Sequence, residues 1–401
     1  MKVITDKEKV NNLLERGVEN IFVKESLEKK LLSGKKLKVY LGIDPTGPTL
    51  HMGHAIPLMK LKQFQDLGHE VILLMGDFTA MIGDPTDKMA TRKQLTHKEV
   101  MGNLKKYKKQ AEKFLKFTGA NKAQFKFNSK WLSKMKFEDV LKLASNVTVD
   151  QMLKRDMFAR RNEEGKPIFI HEFMYPLMQG YDSVAMDVDV EVGGNDQTFN
   201  MLMGRDLSSI LLKKDKSVIA MKLLEDNTGK KMGKTEGNMV SFEDSYLDVY
   251  GKVMSWNDSL ILKGFELCTD IPMSQIKDFE KKIADGMNPK DFKMGLAYEI
   301  VKIYHGEKKA KEAEINFVNT FSKKEIPDEM EEIKGSVGES LVDVLINKNV
   351  LTSKGEWRRL VEQNAIHDLE NDTRITDVNF KVEKELTLKI GKKRFIKIIV
   401  K

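Results

Sequence analysis

The feature that most constrains the fold is a strand–helix–strand pattern near the N-terminus. KVYLGID (38–44) and EVILLMGDF (70–78) are apolar runs of strand length, and MGHAIPLMKLKQFQDLG (52–68) between them has the pattern of an amphipathic helix. Two strands joined through a helix pair in parallel. The sequence therefore predicts an α/β fold with a parallel sheet.

A glycine- and proline-rich turn, DPTGPTLHMGH (44–54), follows the first strand. The carboxyl end of a parallel strand is where such sheets bind ligands, and the next helix offers free N–H groups to a phosphate. No G-x-G-x-x-G follows the strand, so the pattern differs from a dinucleotide fingerprint.

Two histidines, His51 and His54, lie three residues apart at the start of the predicted helix, on one face of its first turn. Three interpretations are open: a zinc site, helix capping or packing, and donation of hydrogen bonds to a nucleotide phosphate. The zinc interpretation lacks further ligands, because Cys268 is the single cysteine and the other five histidines are scattered.

A second candidate motif is the lysine loop GKKMGKT (229–235), which is suited to clamping a phosphate. It differs from a P-loop, since Gly229 and Gly233 enclose three residues instead of four, and Gly237 would interrupt the helix that a P-loop must open. A plain solvated basic turn is the other interpretation.

The predicted secondary structure changes along the rest of the chain. Residues 85–182 are mostly helical in pattern, and in NLKKYKKQAEKFLKF the apolar side chains share one face, namely Leu104, Tyr107, Ala111, Phe114 and Leu115. Strands resume at DVDVEVGG (187–194) and SVIAMKLLE (217–225), and 240–322 is helical again. After an acidic segment at 322–336 that resembles a linker, the pattern predicts two helices and a terminal hairpin turning at Gly391.

Composition places the chain among multidomain globular proteins, with 401 residues, 41% apolar and 32% charged. The N-terminus has no signal-peptide core and no apolar run is long enough to span a bilayer, so we expect a cytoplasmic protein without membrane association. The net charge of +8 is uneven: residues 101–136 hold eleven lysines and one acid, and residues 381–401 hold eight Lys or Arg and two Glu. Both segments are either solvated faces or sites for a polyanion.

The motifs HMGH (51–54) and KMGKT (231–235) together resemble the HIGH and KMSKS signatures of class I aminoacyl-tRNA synthetases. The blocks YLGIDPTGPTLHMGH, MIGDPTDK, YPLMQGYD and VGGNDQ resemble those of bacterial-type tyrosyl-tRNA synthetases, and the resemblance covers essentially the whole chain. HDLENDTRITD (367–377) departs from the family's C-terminal domain in lacking an asparagine-glycine turn.

This resemblance implies a domain organisation. The expected order is a Rossmann-like parallel-sheet catalytic domain with a connective helical insertion (1–225), the KMSKS loop with an α-helical anticodon-binding domain (226–322), a linker (323–336), and a small α+β RNA-binding domain (337–401). The insertion implies a homodimer interface. The basic segments then acquire a partner, tRNA.

The resemblance also implies which residues bind tyrosine. Tyr40 and Asp182 match the positions that hold the phenolic hydroxyl, a group that both donates and accepts a hydrogen bond. Tyr175, Gln179 and Asp84 match those that bind the α-ammonium group, and Gln197 lines the same pocket.

For ATP, the matching positions surround the first turn, the end of the 187–194 strand and the lysine loop. They are Gly42, Asp44, Thr46, His51, His54, Gly193, Asp196, Lys231, Met232 and Lys234. Asp196 would hold the ribose hydroxyls. The catalytic set comprises Thr46, His51, His54, Lys231, Lys234 and Thr235. The lysines would neutralise the departing pyrophosphate.

Two positions depart from better-known family members: Glu191 stands where those members have glutamine, and Thr198 where they have tryptophan. The alternating acids Asp187, Asp189 and Glu191 are interpreted as the polar face of a strand, with Mg²⁺ carried by ATP instead of by a protein metal site.

The implied activity is that of a tyrosine–tRNA ligase acting on L-tyrosine, ATP and tRNA(Tyr). Tryptophanyl-tRNA synthetase is the nearest alternative, against which Asp182 facing Tyr40 favours a phenol over an indole that only donates. A non-catalytic RNA-binding protein derived from a synthetase is a second alternative. A small-molecule adenylyltransferase, the third, leaves the last 180 or so residues unexplained.

Overall fold

The computed structural model describes residues 2–85, 95–225, 239–322, 330–371, 373–391 and 394–400. The chain divides into two compact units, Met1–Ala310 and Lys311–Lys401. The predicted boundary between a catalytic domain (1–225) and a helical domain (226–322) does not coincide with this division, and it stays a prediction.

The first unit is built on a sheet that has six strands within the described residues. They are β1 Val18–Phe22, β2 Lys38–Ile43, β3 Glu70–Met75, β4 Gln124–Phe127, β5 Val190–Gly194 and β6 Ser217–Met221. Their order is β1-β6-β5-β2-β3-β4. β2 pairs in parallel with both β3 and β5, β4 and β6 extend the parallel pairing outward, and β1 is antiparallel to β6. The predicted α/β fold with a parallel sheet is confirmed.

Helices connect and cover these strands. Up to residue 317 they are α1 Lys7–Glu15, α2 Lys24–Leu32, α3 Met52–Asp66, α4 Thr79–Ile82, α5 His97–Leu104, α6 Tyr107–Ala111, α7 Ser129–Leu132, α8 Phe137–Ala144, α9 Val149–Leu153, α10 Asp156–Glu163, α11 Ile170–Met186, α12 Thr198–Leu212, α13 Tyr246–Met254, α14 Ile261–Cys268, α15 Met273–Ala284, α16 Pro289–His305 and α17 Glu307–Phe317. Short 3-10 helices span Asn195–Gln197 and Asp258–Leu260, and a π-helical turn spans Val318–Ser322.

The burial of β3 shows why a strand inside a parallel sheet has a continuous apolar sequence. All of its residues except Glu70 are buried, because helices cover both faces of such a sheet. β2 beside it buries Tyr40 and ends at Ile43, so the turn that follows β2 lies at the carboxyl edge of the sheet. The carboxyl ends of β2 and β5 meet at this edge.

One local expectation needs an addition and two need correction. The described part of 85–182 is mostly helical, as expected, but it also contains β4, a sheet-edge strand too short to stand out by periodicity. The segment at 103–117 forms no continuous helix, since α5 ends at Leu104 and α6 covers only Tyr107–Ala111, although the predicted apolar face is buried. β5 begins at Val190 instead of residue 187, because Asp187 ends α11 with a φ of 49°.

From residue 330 onward, the described part of the second unit combines a small sheet with two helices. Its strands are β7 Glu331–Gly335, β8 Ile366–Asp368, β9 Thr373–Arg374, β10 Leu386–Ile390 and β11 Arg394–Val400, and its helices are α18 Leu341–Asn347 and α19 Lys354–Glu362. The strand order is β7-β11-β10-β8-β9, and Trp357 lies in a core with apolar residues of the strands. The predicted hairpin is confirmed, with β10 antiparallel to β11 and Gly391 at a φ of +64°.

The predicted linker (323–336) is partly wrong, because it contains β7. This strand pairs in parallel with β11, buries Ile333 and Gly335, and exposes its two glutamates. Its acidic residues suggested a linker, whereas Glu331 and Glu332 lie at the start of a strand at the edge of the sheet, where both stay exposed. Within the described ranges, no helix is both long and apolar enough to cross a membrane.

Candidate active site

The two histidines of the predicted phosphate site cap the first turn of α3. His51 Nδ1 accepts from the Gly53 backbone N–H at 3.1 Å, and His54 Nδ1 accepts from the His51 backbone N–H at 3.2 Å. Their ring centroids are 4.0 Å apart. Because both Nδ1 atoms accept, each neutral ring carries its proton on Nε2. Capping and phosphate donation are therefore compatible roles, and the Nε2–H groups stand beside a helix N-terminus.

The chain that follows the lysine loop pairs with this histidine motif. Val240 C=O accepts from Met52 N at 2.9 Å, Leu50 C=O accepts from Phe242 N at 3.0 Å, and His51 forms a β-bridge with Ser241. The predicted residues Lys231, Met232, Lys234 and Thr235 lie outside the described residues.

Asp44, the first residue after β2, connects the turn to the predicted tyrosine pocket. Its Oδ1 accepts from Thr79 Oγ at 2.7 Å, and its Oδ2 accepts from the Tyr175 hydroxyl at 2.9 Å. Burial raises the pKa of Asp44 to about 7, against the opposing effect of these two hydrogen bonds. Gly76 makes room, since a Cβ there would lie 1.8 Å from Asp44 Oδ1.

Asp182 is a buried carboxylate held by two donors, one on each oxygen. Trp131 Nε1 donates to its Oδ1 at 2.7 Å, and Asn128 Nδ2 donates to its Oδ2 at 3.2 Å. Asn128 Nδ2 also lies 3.0 Å from Thr79 Oγ, which joins the Asp182 and Asp44 groups in one network. Burial raises the pKa of Asp182 well above its ordinary value.

Tyr40, predicted to act with Asp182, has a different direct partner. Its hydroxyl lies 2.9 Å from Ser183 Oγ, on the residue next to Asp182 in α11. Tyr40 is buried, and burial together with the charges of Glu191 and Asp182 raises its pKa well above the ordinary value.

The predicted pocket residues Asp84 and Gln197 are in direct contact. Gln197 Nε2 donates to Asp84 Oδ2 at 2.7 Å, and Gln197 Oε1 accepts from Asn200 Nδ2 at 3.0 Å. Arg155 Nη2 approaches the other oxygen of Asp84 at 3.4 Å. Burial lowers the pKa of Arg155, with Asp84 opposing the shift.

The remaining ATP positions lie at the carboxyl ends of β2 and β5. Gly42 and Thr46 are exposed near the end of β2. Asp196 is exposed in the 3-10 helix after β5, and at Gly193 a Cβ would lie 2.8 Å from Met201 Sδ. These positions line the edge of the sheet that also carries the histidines.

The alternating acids around β5 are paired with lysines. Lys214 binds Asp187 at 2.8 Å and Asp189 at 3.0 Å, as expected for a polar strand face. Glu191 departs from that expectation, because it is buried and pairs with the buried Lys216. The side-chain alternation of a strand does not distinguish an outward face from one covered by a helix.

Six residues of this site were missed from the sequence: Asn128, Trp131, Thr79, Arg155, Ser183 and Lys216. A signal was available for the first two, since FKFNSKW (125–131) places them just after β4, at the same edge of the sheet. We identified no motif for the other four.

Comparisons with known proteins agree with this geometry. The family model for "tRNA synthetases class I (W and Y)" matches residues 32–322. The chain is 45% identical to a tyrosine–tRNA ligase of Thermotoga maritima, covering 98% of each, and 47% identical to one of Carboxydothermus hydrogenoformans, covering 96% of this chain and 97% of the relative.

Solved structures show the same fold. A C-terminally truncated mitochondrial tyrosyl-tRNA synthetase of Coccidioides posadasii aligns with a TM-score of 0.64 at 25% identity, covering 77% of this chain and 92% of that one. The enzyme of Archaeoglobus fulgidus complexed with L-tyrosine aligns with a TM-score of 0.61 at 21% identity, covering 77% and 99%. With these sequence and structural relatives, the chain belongs to the tyrosyl-tRNA synthetase family of the class I aminoacyl-tRNA synthetases.

Proposed function

We propose that the protein is a tyrosine–tRNA ligase that activates L-tyrosine with ATP and transfers the tyrosyl group to the 3'-terminal adenosine of tRNA(Tyr). The observation that carries the proposal is the network from Asp182 through Asn128 and Thr79 to Asp44. It joins a buried acceptor suited to a phenol with the carboxyl edge of the sheet, where a nucleotide binds.

Specificity for tyrosine rests on Asp182. Trp131 donates to one of its oxygens and Asn128 to the other, and a carboxylate has further lone pairs with which to accept a substrate O–H. Phenylalanine would leave this buried group without that partner, a loss that gives large discrimination. Tryptophan has an N–H donor but no acceptor on its ring, which suits it less well beside the Tyr40 hydroxyl.

The α-ammonium group of tyrosine would lie among Tyr175, Gln179 and Asp84, with Gln197 held beside it by Asp84. Asp44 orients the Tyr175 hydroxyl through a 2.9 Å hydrogen bond. Asp84 supplies negative charge, and Arg155 behind it balances part of that charge.

The first step is attack by an oxygen of the tyrosine carboxylate on the α-phosphorus of ATP. A carboxylate–phosphorus bond forms, the bond from the α-phosphorus to its bridging oxygen breaks, and pyrophosphate leaves with that electron pair. His51 and His54 donate through Nε2–H to phosphate oxygens, and Lys231, Lys234 and Thr235 clamp the leaving pyrophosphate. Val240 follows Thr235 by five residues and pairs with Met52, so a short stretch of chain joins the loop to the histidines.

Mg²⁺ enters with ATP and neutralises phosphate charge. In the second step a ribose hydroxyl of the terminal adenosine of tRNA attacks the acyl carbon and AMP leaves. The protein contributes position and charge and needs no covalent nucleophile.

The experiment is ATP–pyrophosphate exchange without tRNA, with tyrosine, phenylalanine or tryptophan as the amino acid. Exchange that depends on Mg²⁺ and tyrosine, with little stimulation by the other two, is expected. Exchange with tryptophan would change the assigned amino-acid substrate from tyrosine to tryptophan. Folded protein that exchanges with no amino acid would overturn the enzymatic assignment in favour of an RNA-binding role.

We also propose that the protein charges this tRNA in the cytoplasm.

We further propose that the protein is a homodimer. Exposed apolar side chains support the dimer: Phe137 is 77% and Leu211 is 45% exposed, and Leu211 borders a groove of about 650 Å³. Light scattering should give a dimer mass. Phe137→Glu with Leu211→Glu should give a monomer, whereas Met287→Glu, at another exposed apolar position, should leave the mass unchanged.

A further inference from the structure

A buried ion pair lies beneath the proposed tyrosine pocket. Lys216 is 0% and Glu191 is 2% exposed. The Lys216 ammonium donates to Glu191 Oε2, to Ser183 Oγ at 2.8 Å and to the Met201 carbonyl at 3.2 Å, so all three of its protons have acceptors. A buried pair of this kind stabilises a fold little better than apolar residues of the same volume, because both ions lose their hydration. Stability alone therefore does not account for it.

The backbone around the pair is shaped to admit it. Glu191 lies in β5, opposite Val218 of β6, and Lys216 directly precedes β6. Gly204 of α12 faces them, and a Cβ there would lie 2.5 Å from Lys216 Nζ and 2.6 Å from Ser183 Oγ. The pair thus occupies a site from which any side chain at residue 204 is excluded.

The other oxygen of Glu191 is directed at the pocket. Its Oε1 accepts from Gln179 Nε2 at 3.2 Å. An ionised carboxylate only accepts, so the amide of Gln179 must face it with its NH₂ group and turn its oxygen the other way. With the opposite orientation, two oxygens would meet at this distance.

We propose that the Lys216–Glu191 pair is a positioning device that fixes the amide orientation of Gln179, so that its Oε1 accepts a hydrogen bond from the α-ammonium group of tyrosine. The inference rests on the proposed function. Lys216 pairs with Glu191 Oε2 and holds the carboxylate in place, Glu191 Oε1 binds the amide nitrogen of Gln179, and the substrate meets an acceptor. A neutral amide at residue 191 could present either its oxygen or its NH₂ group to Gln179. The orientation of the Gln179 amide would then no longer be fixed.

The test compares two ligands that differ in the ammonium group. L-Tyrosine carries it, and 3-(4-hydroxyphenyl)propionate lacks it. Their dissociation constants are measured by calorimetry for the wild-type chain, for Glu191→Gln, and for Glu191→Gln combined with Lys216→Met, which leaves no unpaired charge. Asp187→Asn, in an exposed pair with Lys214, is the matched control.

Both Glu191→Gln variants should bind tyrosine about tenfold more weakly while binding the propionate as the wild type does. Asp187→Asn should change neither constant. Adding Gln179→Glu to Glu191→Gln should restore tyrosine binding, because a carboxylate at residue 179 presents an oxygen to the ammonium in any rotation and still accepts from the amide introduced at residue 191.

Equal weakening for both ligands, or none, in variants whose melting shows them folded would overturn the positioning role. The positioning role would also be overturned if the wild-type chain bound tyrosine no more tightly than the propionate. A wild-type chain that binds neither ligand and supports no exchange would instead overturn the proposed function.

Discussion

At the scale of the residue, each histidine of the pair has two roles: one ring nitrogen caps the helix, and the other, in the proposed function, donates to the substrate. His54 uses Nδ1 to cap the α3 terminus and holds its proton on Nε2. In His54→Asn the amide oxygen can take over the cap, but the shorter side chain no longer places a donor where the Nε2–H of His54 stands, and His51 is left as the one histidine donor. Exchange kcat should fall by about 10²- to 10³-fold with tyrosine binding unchanged. The ATP–pyrophosphate exchange assay measures kcat, and equilibrium binding measures the affinity for tyrosine. Parallel losses in kcat and in affinity would contradict the assignment.

The donors behind Asp182 should determine how well it recognises a phenol. Trp131→Phe removes the 2.7 Å hydrogen bond to Oδ1, which raises the pKa of this buried acid further and so favours its protonated form, which accepts fewer hydrogen bonds than the carboxylate. We expect kcat/KM for tyrosine to fall about tenfold, with that for phenylalanine unchanged. The matched control is Trp256→Phe, since the Trp256 Nε1 has no partner among the described residues. A similar loss in both variants would mean that only packing was disturbed.

Asp44 should give tyrosine activation a pH dependence near neutrality. Its pKa is raised to about 7, so the carboxyl is mostly protonated at pH 6 and mostly ionised at pH 8. Because Thr79 and Tyr175 donate to the ionised form, kcat/KM for exchange should rise through an inflection near pH 7. Thr79→Val removes a donor and should move the inflection to higher pH. A pH profile with the same inflection in both proteins would assign it to another group.

At the scale of the element, the end of β3 must pass close to the turn after β2. A Cβ on Gly76 would lie 1.8 Å from Asp44 Oδ1 and 2.3 Å from Thr79 Oγ. Gly76→Ala should therefore displace Asp44 and lower kcat/KM for exchange at least tenfold. Gly251→Ala in α13 meets no atom within 4 Å and should keep full activity while raising the free energy of unfolding by about 0.5–1 kcal/mol. Full activity in Gly76→Ala would show that Asp44 need not stay in place.

The elements also show how far sequence reasoning reached. The β2–α3–β3 unit and the β10–β11 hairpin follow from periodicity and turn residues, so they were predictable. The site residues with motifs were found because motifs are local. Arg155 and Lys216 meet Asp84 and Glu191 only through tertiary packing, at positions where no spacing along the chain signals a partner. β7 was hidden because its single buried apolar side chain, Ile333, lies among acids.

At the scale of the whole molecule, the two compact units suggest a division of labour. The described residues of the proposed site all lie in Met1–Ala310, and the second unit has a core of its own. Residues 381–401 hold eight Lys or Arg and two Glu, a balance suited to a polyanion. The proposed tRNA contacts of this unit should be separable from tyrosine activation.

A chain ending at Ser322 tests that division, because this end point removes β7 with the rest of its sheet, whereas an end at residue 336 would leave β7 unpaired. Exchange without tRNA should stay within about twofold of the full chain, and KM for tRNA(Tyr) should rise at least tenfold. The slope of tRNA affinity against salt should also become shallower, because fewer phosphates are neutralised. Filter binding across salt concentrations measures the slope. An unchanged slope and affinity would mean that residues 323–401 do not bind tRNA, while a loss of exchange would mean that the first unit depends on them.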